Sequence, residues 1–144
     1  MTIETLNQVL LVVHFLGLAF GFSVPIANAV VGALIASAAP AERSVLARLP
    51  PRMGAIGKIG LTLLWISGGV LVETRWGGFG TLPWQFHVKL TAVVLLTITV
   101  IYIHLQERRV RHGDTGASAR IQTAGKIGAV FALTALAFAV LTFD

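Results

Sequence analysis

The sequence contains no cysteine among its 144 residues, and only 12% of those residues are charged. The lack of cysteine excludes disulfides, thiolate metal sites, iron–sulfur clusters and cysteine nucleophiles. Any metal or haem must therefore be held by His, Lys, Met, Tyr or carboxylate side chains. An ordinary soluble domain carries about 25% charged residues. Because 56% of this chain is hydrophobic, we expect the chain to lie in a lipid bilayer.

The few charges are mostly basic, with a formal net charge of +5. The basic residues lie between apolar stretches, as anchors at a membrane surface do, and do not form one polar face. A nucleic-acid partner is therefore not expected. The sequence also has no nucleophilic triad, glycine-rich phosphate loop or pair of catalytic carboxylates, so hydrolase chemistry is not expected either.

Long apolar stretches dominate the rest of the chain. A membrane-spanning helix needs about 20 apolar residues, and four segments qualify, at about residues 6–37, 53–74, 83–106 and 121–143. We predict an all-α protein, a single transmembrane domain over residues 1–144 that forms a four-helix bundle. The first stretch is far longer than the apolar core of about 7–15 residues in a signal peptide, so we expect it to be retained. Pro25 predicts a kink in this first span.

Arginines in the connecting segments predict the orientation. Positively charged residues favour the cytoplasmic side of a membrane. The first and third connections are rich in arginine and the second is poor. The first holds Arg43, Arg48 and Arg52, the third holds Arg108, Arg109, Arg111 and Arg120, and the second holds Arg75. We therefore expect a multi-pass protein of the bacterial cytoplasmic membrane, with both termini on the non-cytoplasmic side.

One face of the first span is small and polar. Its members lie within about 60° of His14 on a helical wheel. They are His14, Gly17, Gly21, Pro25, Asn28 and Gly32. Such a face suits close helix packing, with Gly17 and Gly21 as the small pair, and it equally suits a flat cofactor lying beside an imidazole. The sequence leaves both interpretations open.

The second span carries a similar set of residues on one face, within about 60° of Lys58. The set consists of Gly54, Lys58, Thr62, Trp65, Gly69 and Glu73. Lys58 and Trp65 are candidates for contact with a cofactor. Alternatively, Lys58 lies close enough to the span's end for its ammonium group to reach water.

The third span has the highest density of ionisable residues, which are costly in a bilayer and by default functional. His87 and Lys89 point about 200° apart on a helix, whereas Lys89 and His104 differ by only about 60°. We therefore expect Lys89 and His104 to share the interior face and His87 to turn toward the rim. The alternatives are that Lys89 extends outward to water and that His104 hydrogen-bonds at the interface.

Three stretches resemble the HemJ-type protoporphyrinogen oxidase family and its CopD-like relatives, over most of the chain. They are His14-Phe15-Leu16-Gly17, the second span from Arg52-Met53-Gly54 to Gly68-Gly69, and Trp84-Gln85-Phe86-His87-Val88-Lys89-Leu90 leading to Tyr102 and His104. The chain departs from the HemJ pattern where Pro25 is followed by Ile26.

The resemblance implies a haem-binding membrane protein with haem b as cofactor, acting in tetrapyrrole oxidation or in electron transfer. It also implies that His14 and Lys89 are the functional pair, with His14 as the iron ligand. Lys89 would hold a carboxylate of a tetrapyrrole or donate a proton. His87, His104, Lys58 and Trp65 complete the candidate cofactor set.

Two other function classes remain open. A copper-handling protein of the CopD-like kind would use His14, His87 and Met53 or Met1, although two methionines are few for Cu(I). A structural protein would instead use Gly17 and Gly21 to build a homo-oligomer.

Overall fold

The structure is a computed structural model that describes residues 2–143. Over this range it is 90% helix and has no strand. Four of its helical segments are long and apolar enough to cross a membrane, which confirms the predicted all-α class and the four apolar spans. The helices are α1 (Ile3–Ser37), α2 (Pro40–Leu46), α3 (Leu49–Trp76), α4 (Trp84–Arg111) and α5 (Ala117–Phe143), with a 3-10 turn at Phe79–Thr81.

Local sequence explains several helix ends. The Thr2 hydroxyl oxygen accepts a hydrogen bond from the Thr5 amide at 3.3 Å and caps the start of α1. The helix then continues past Pro25 to Ser37. Helix α3 ends where Gly77 adopts a left-handed conformation with φ of 71°, which glycine reaches without a steric penalty.

The chain forms two compact units, one up to Gly80 and one from Thr81 onward. The first unit contains the pair α1 and α3, and the second contains the pair α4 and α5. His14, Lys58 and Trp65 belong to the first unit. His87, Lys89 and His104 belong to the second.

Glycines bring α1 and α3 into backbone contact. A Cβ atom built on Gly17 would lie 2.9 Å from the carbonyl oxygen of Gly60, and one built on Gly60 would lie 2.8 Å from the Gly21 amide nitrogen. No side chain fits in such a gap without displacing backbone. Small residues allow this close approach, which increases the van der Waals contact between membrane helices. Gly17 therefore contacts α3 of its own chain.

Small residues of α5 form its contact with α4. Ala124, Ala132 and Ala135 are buried, and a Cβ atom on Gly128 would lie 3.4 Å from Thr99 Cγ2. The aromatic ring of Trp84, at the start of α4, stands edge-on to that of Phe138 with centroids 6.1 Å apart. The contact of the start of α4 with the end of α5 shows that the two helices are antiparallel.

The turn between α4 and α5 is organised by Asp114. One carboxylate oxygen accepts hydrogen bonds from the amides of Gly116 at 2.9 Å and Ala117 at 3.2 Å. The other accepts a hydrogen bond from the Arg120 guanidinium, whose Nε also donates to Gln106 Oε1 at 3.0 Å. Desolvation opposes ionisation of Asp114, but the hydrogen bonds and charge of Arg120, with the two amides, outweigh it. The pKa of Asp114 therefore lies below its usual value.

Candidate functional site

A chain of two hydrogen bonds joins His14 on α1 to the backbone of α3. His14 Nδ1 lies 2.9 Å from the Ser67 hydroxyl oxygen, and the Ser67 hydroxyl donates to the Leu63 carbonyl oxygen at 2.5 Å. Ser67 is fully buried and His14 is half-buried. The imidazole is thus fixed on α3 from the side of its Nδ1 atom.

This chain of hydrogen bonds favours one tautomer of His14. A serine hydroxyl has one hydrogen. When Ser67 donates that hydrogen to the Leu63 carbonyl oxygen, it accepts from His14, and Nδ1 then carries the imidazole hydrogen. In the neutral ring the lone pair is on Nε2, the form in which histidine binds a metal ion. Metal-ligating histidines commonly donate their other N–H to a neighbouring acceptor in this way.

Gly68 makes room for the imidazole ring. A Cβ atom at Gly68 would lie 3.3 Å from His14 Cε1, so a larger residue would press on the ring. The position one residue further along differs, because a Cβ atom at Gly69 would meet nothing within 4 Å. The imidazole of His14 therefore requires a glycine at position 68 but not at position 69.

The glycine face next to His14 is used for helix packing. At Gly17 the backbone of α3 occupies the space that a flat cofactor would need, because a Cβ atom there would lie 2.9 Å from the Gly60 carbonyl oxygen. A Cβ atom on Gly21 would meet nothing within 4 Å. The close-packing interpretation therefore explains Gly17, and a cofactor bound by His14 cannot lie over that residue.

The face that α3 turns toward α1 differs from the polar face noted in the sequence. Its contacts with α1 include those of Gly57, Gly60, Leu64, Ser67, Gly68 and Thr74. Trp65 is 40% exposed and Lys58 is half-buried. Contact of Lys58 and Trp65 with a cofactor stays a prediction.

Helix α4 carries the remaining candidates. Lys89 is half-buried, and its Nζ lies 5.7 Å from the centre of the Phe86 ring. His87 is exposed, with its ring edge-on to Phe86 at 6.1 Å. His104 Nδ1 lies 3.4 Å from a carboxylate oxygen of Glu107. The apolar Phe86 ring thus borders both His87 and Lys89.

Two partners of the candidate residues were not anticipated from the sequence. Serine is common in membrane helices. Only the antiparallel register of α1 and α3, which places Ser67 opposite His14, would have identified this residue as a partner. Glu107 is three residues after His104, a spacing that places two side chains on one helical face. The contact between His104 and Glu107 could therefore have been predicted from the sequence.

Metal ligands do not cluster in the described part of the chain. Between residues 2 and 143, no group of three or more His, Cys, Asp and Glu side chains could hold a metal ion. Met1, named above as a possible copper ligand, lies outside this range. A haem iron needs fewer protein ligands than a copper ion, because the porphyrin supplies four nitrogens. A single imidazole such as that of His14 could supply one ligand to a haem iron.

Comparison with known proteins adds no assignment. No protein-family model, curated protein or solved structure matches the chain. The relationship to HemJ-type and CopD-like proteins therefore stays a prediction from the motifs around His14 and Lys89. The function has to be inferred from the chain's own side chains.

Proposed function

We propose that this protein is a haem-binding integral membrane protein with a redox role, in which His14 would hold the iron. The observation that carries the proposal is the hydrogen-bonded chain from His14 through Ser67 to the Leu63 carbonyl. With the hydrogen on Nδ1, Nε2 is the nitrogen through which His14 would bind a metal ion. When bound, haem b would supply one-electron chemistry.

The role of Ser67 is to position the ligand. By accepting from Nδ1, Ser67 orients the imidazole and raises its basicity, as outer hydrogen-bond partners of metal ligands do. Gly68 supports the same orientation, since a side chain at this position would press on the ring. The imidazole thereby loses little conformational entropy when it binds a metal.

Lys89 is the proposed anion-binding residue. Its ammonium group is a compact positive charge on a half-buried stretch of α4, which suits a carboxylate of a tetrapyrrole. In a HemJ-like reaction the same group would hold the substrate or donate a proton. A role of Lys89 in holding a substrate or donating a proton would indicate tetrapyrrole oxidation. Without such a role the protein would transfer electrons.

The orientation forms part of the proposal. We place the α1–α2–α3 connection and the α4–α5 turn on the cytoplasmic side of a bacterial inner membrane, because their arginines favour that side. Both termini then lie outside the cytoplasm.

An absorption spectrum tests the proposed function. The protein should be purified in detergent from haem-replete cells and examined for a Soret band, with iron and copper measured on the same sample. We expect a red protein with iron, and we expect His14→Ala to lose the band. His112→Ala is the matched control, because His112 is an exposed histidine in the α4–α5 turn, and it should keep the band. A colourless wild type, or copper without iron, would overturn the proposal.

A further inference from the structure

A groove of about 550 Å³ runs along the surface of the second unit, between α4 and α5. Arg120 lies at the end next to the α4–α5 turn, and Ile98 and Ile127 lie at the opposite end. The walls between them are mostly apolar. The lining residues are Ile98, Thr99, Tyr102, Ala119, Arg120, Thr123, Ala124 and Ile127.

We propose that this groove binds one anionic phospholipid, with its phosphate at Arg120 and an acyl chain running toward Ile98 and Ile127. Seven residues separate Arg120 from Ile127, which is about 10 Å along a helix. This length covers the glycerol backbone and the first part of an acyl chain. The groove therefore matches a lipid in both polarity and direction.

Arg120 retains donors for a phosphate. A guanidinium group has five N–H donors, and the structure shows one bonded to Gln106 and one to Asp114. Gln106 is only 4% exposed, so its amide oxygen holds the guanidinium in a fixed position. A pre-positioned arginine is well suited to phosphate.

The surroundings of Arg120 are also positively charged. The last turn of α4 carries Arg108, Arg109 and Arg111, against two acidic residues in this part of the chain, Glu107 and Asp114. The local charge therefore favours an anion. Under the proposed orientation this end lies at the cytoplasmic leaflet, where anionic lipids attract basic clusters and basic pockets between helices bind their headgroups.

The exposure of the groove favours a lipid over a water-soluble anion. Ile98 is 57% exposed and Ile127 is 46% exposed, although both belong to apolar helices long enough to cross a bilayer. If these helices cross a bilayer as their length and composition allow, both side chains would face acyl chains. An occupant of the groove must therefore have an apolar part as well as an anionic one.

A lipid titration followed by native mass spectrometry tests the proposal. Delipidated full-length protein is titrated with phosphatidylglycerol, and in parallel with phosphatidylcholine of the same acyl chains. We expect tighter binding of phosphatidylglycerol. Arg120→Gln should weaken its apparent affinity about fivefold, the effect of one basic residue near an anionic surface. The affinity for phosphatidylcholine should change less, because its choline cation offsets the charge of its phosphate.

Further variants separate the charge of Arg120 from its role in the turn. Asp114→Asn removes the ion pair but keeps the guanidinium, so phosphatidylglycerol should bind at least as tightly as to wild type. Thr123→Trp fills the groove and should reduce binding of the lipid. Gln122→Trp is its control, because Gln122 is exposed beside the groove and does not line it.

Three results would overturn the proposal. The first is equal affinity for the two lipids. The second is equal loss of binding in Arg120→Gln and Asp114→Asn, which would assign the effect to the fold of the turn. The third is that protoporphyrin IX displaces bound phosphatidylglycerol and that Thr123→Trp prevents protoporphyrin IX from binding. The groove would then be a tetrapyrrole site.

Discussion

His14 Nδ1 lies 2.9 Å from the hydroxyl oxygen of Ser67, 53 residues further along the chain. A second cross-helix bond follows the same register, because Thr74 donates to Asn7 Oδ1 at 2.6 Å. Each bond is seven residues from the other on both helices, so the two lie on one face. Hydrogen bonds across packed helices add to the contribution of small residues such as Gly17. The residue proposed to bind iron is thus part of the contact between α1 and α3.

Ser67→Ala should weaken haem binding without removing the ligand. The substitution deletes the acceptor for His14 Nδ1–H, so the ring loses its orientation and its favoured tautomer. Loss of such a partner costs about 10- to 100-fold in metal affinity. Haem titration of the apoprotein, followed at the Soret band, measures the change.

Ser23→Ala is the matched control for Ser67→Ala. Ser23 is also a helical serine whose hydroxyl donates to a carbonyl of its own helix, at 3.0 Å from Phe20 O, and it has no contact with His14 in the structure. Its haem affinity should equal that of wild type. Equal affinities of all three proteins would refute the positioning role of Ser67.

Gly17→Ala should destabilise the first unit. The added methyl group would lie 2.9 Å from the Gly60 carbonyl oxygen and 3.0 Å from Leu64 Cγ, and overpacking of this kind costs about 1–3 kcal/mol. Gly21→Ala is the control, because a Cβ atom there meets nothing within 4 Å. Thermal unfolding in detergent compares the two variants. A loss of stability in Gly21→Ala as large as that in Gly17→Ala would contradict the packing described for α1 and α3.

Lys89→Gln should reduce affinity for a dicarboxylic porphyrin about tenfold or more, since hydrogen bonds to charged groups contribute about 1.5–3 kcal/mol. Quenching of protoporphyrin IX fluorescence on titration measures the affinity. The dimethyl ester, which has no carboxylate, should bind wild type and variant equally. Lys126→Gln, at an exposed lysine of α5, is the control. If the ester shows the same loss as the free acid, Lys89 does not act on the carboxylates.

The contribution of Asp114 to stability should depend on pH. Its pKa is lower in the folded chain than in the unfolded chain, so the unfolded state takes up protons first as the pH falls. The stabilisation is therefore present above the unfolded pKa and is lost as the pH falls through the folded pKa. The difference in melting temperature between wild type and Asp114→Asn should be constant near neutral pH and shrink in acid. A difference that grows as the pH falls would contradict this account.

Hydrophobicity in the sequence located the four apolar spans but not their exact ends. Helix α3 begins at Leu49 and α4 continues to Arg111, beyond the apolar stretches predicted at residues 53–74 and 83–106. Pro50 and Pro51 fit in the first turn of a helix, where no amide hydrogen is needed. Arginine has a good helix propensity, so charge ends an apolar stretch without ending the helix. Hydrophobicity did not predict the short helix α2, because this helix has no long apolar stretch.

The candidate site was only partly readable from the sequence. The wheel placed His14 with Gly17 and Gly21 on one face of α1, and this face does contact α3. The residues of α3 that face α1 include Gly60 and Ser67, and neither belongs to the polar set around Lys58. Which face of a helix meets its neighbour depends on the complementary surface of that neighbour. A single helical wheel does not contain this information.

The most direct test of the central claim replaces the proposed ligand and then supplies it from solution. His14→Gly removes the imidazole, so the purified variant should lack the wild-type Soret band, and added imidazole with haem should restore it. Ser23→Ala treated in the same way should show no dependence on imidazole. If His14→Gly keeps the wild-type spectrum without imidazole, His14 is not the iron ligand and the proposed function is wrong.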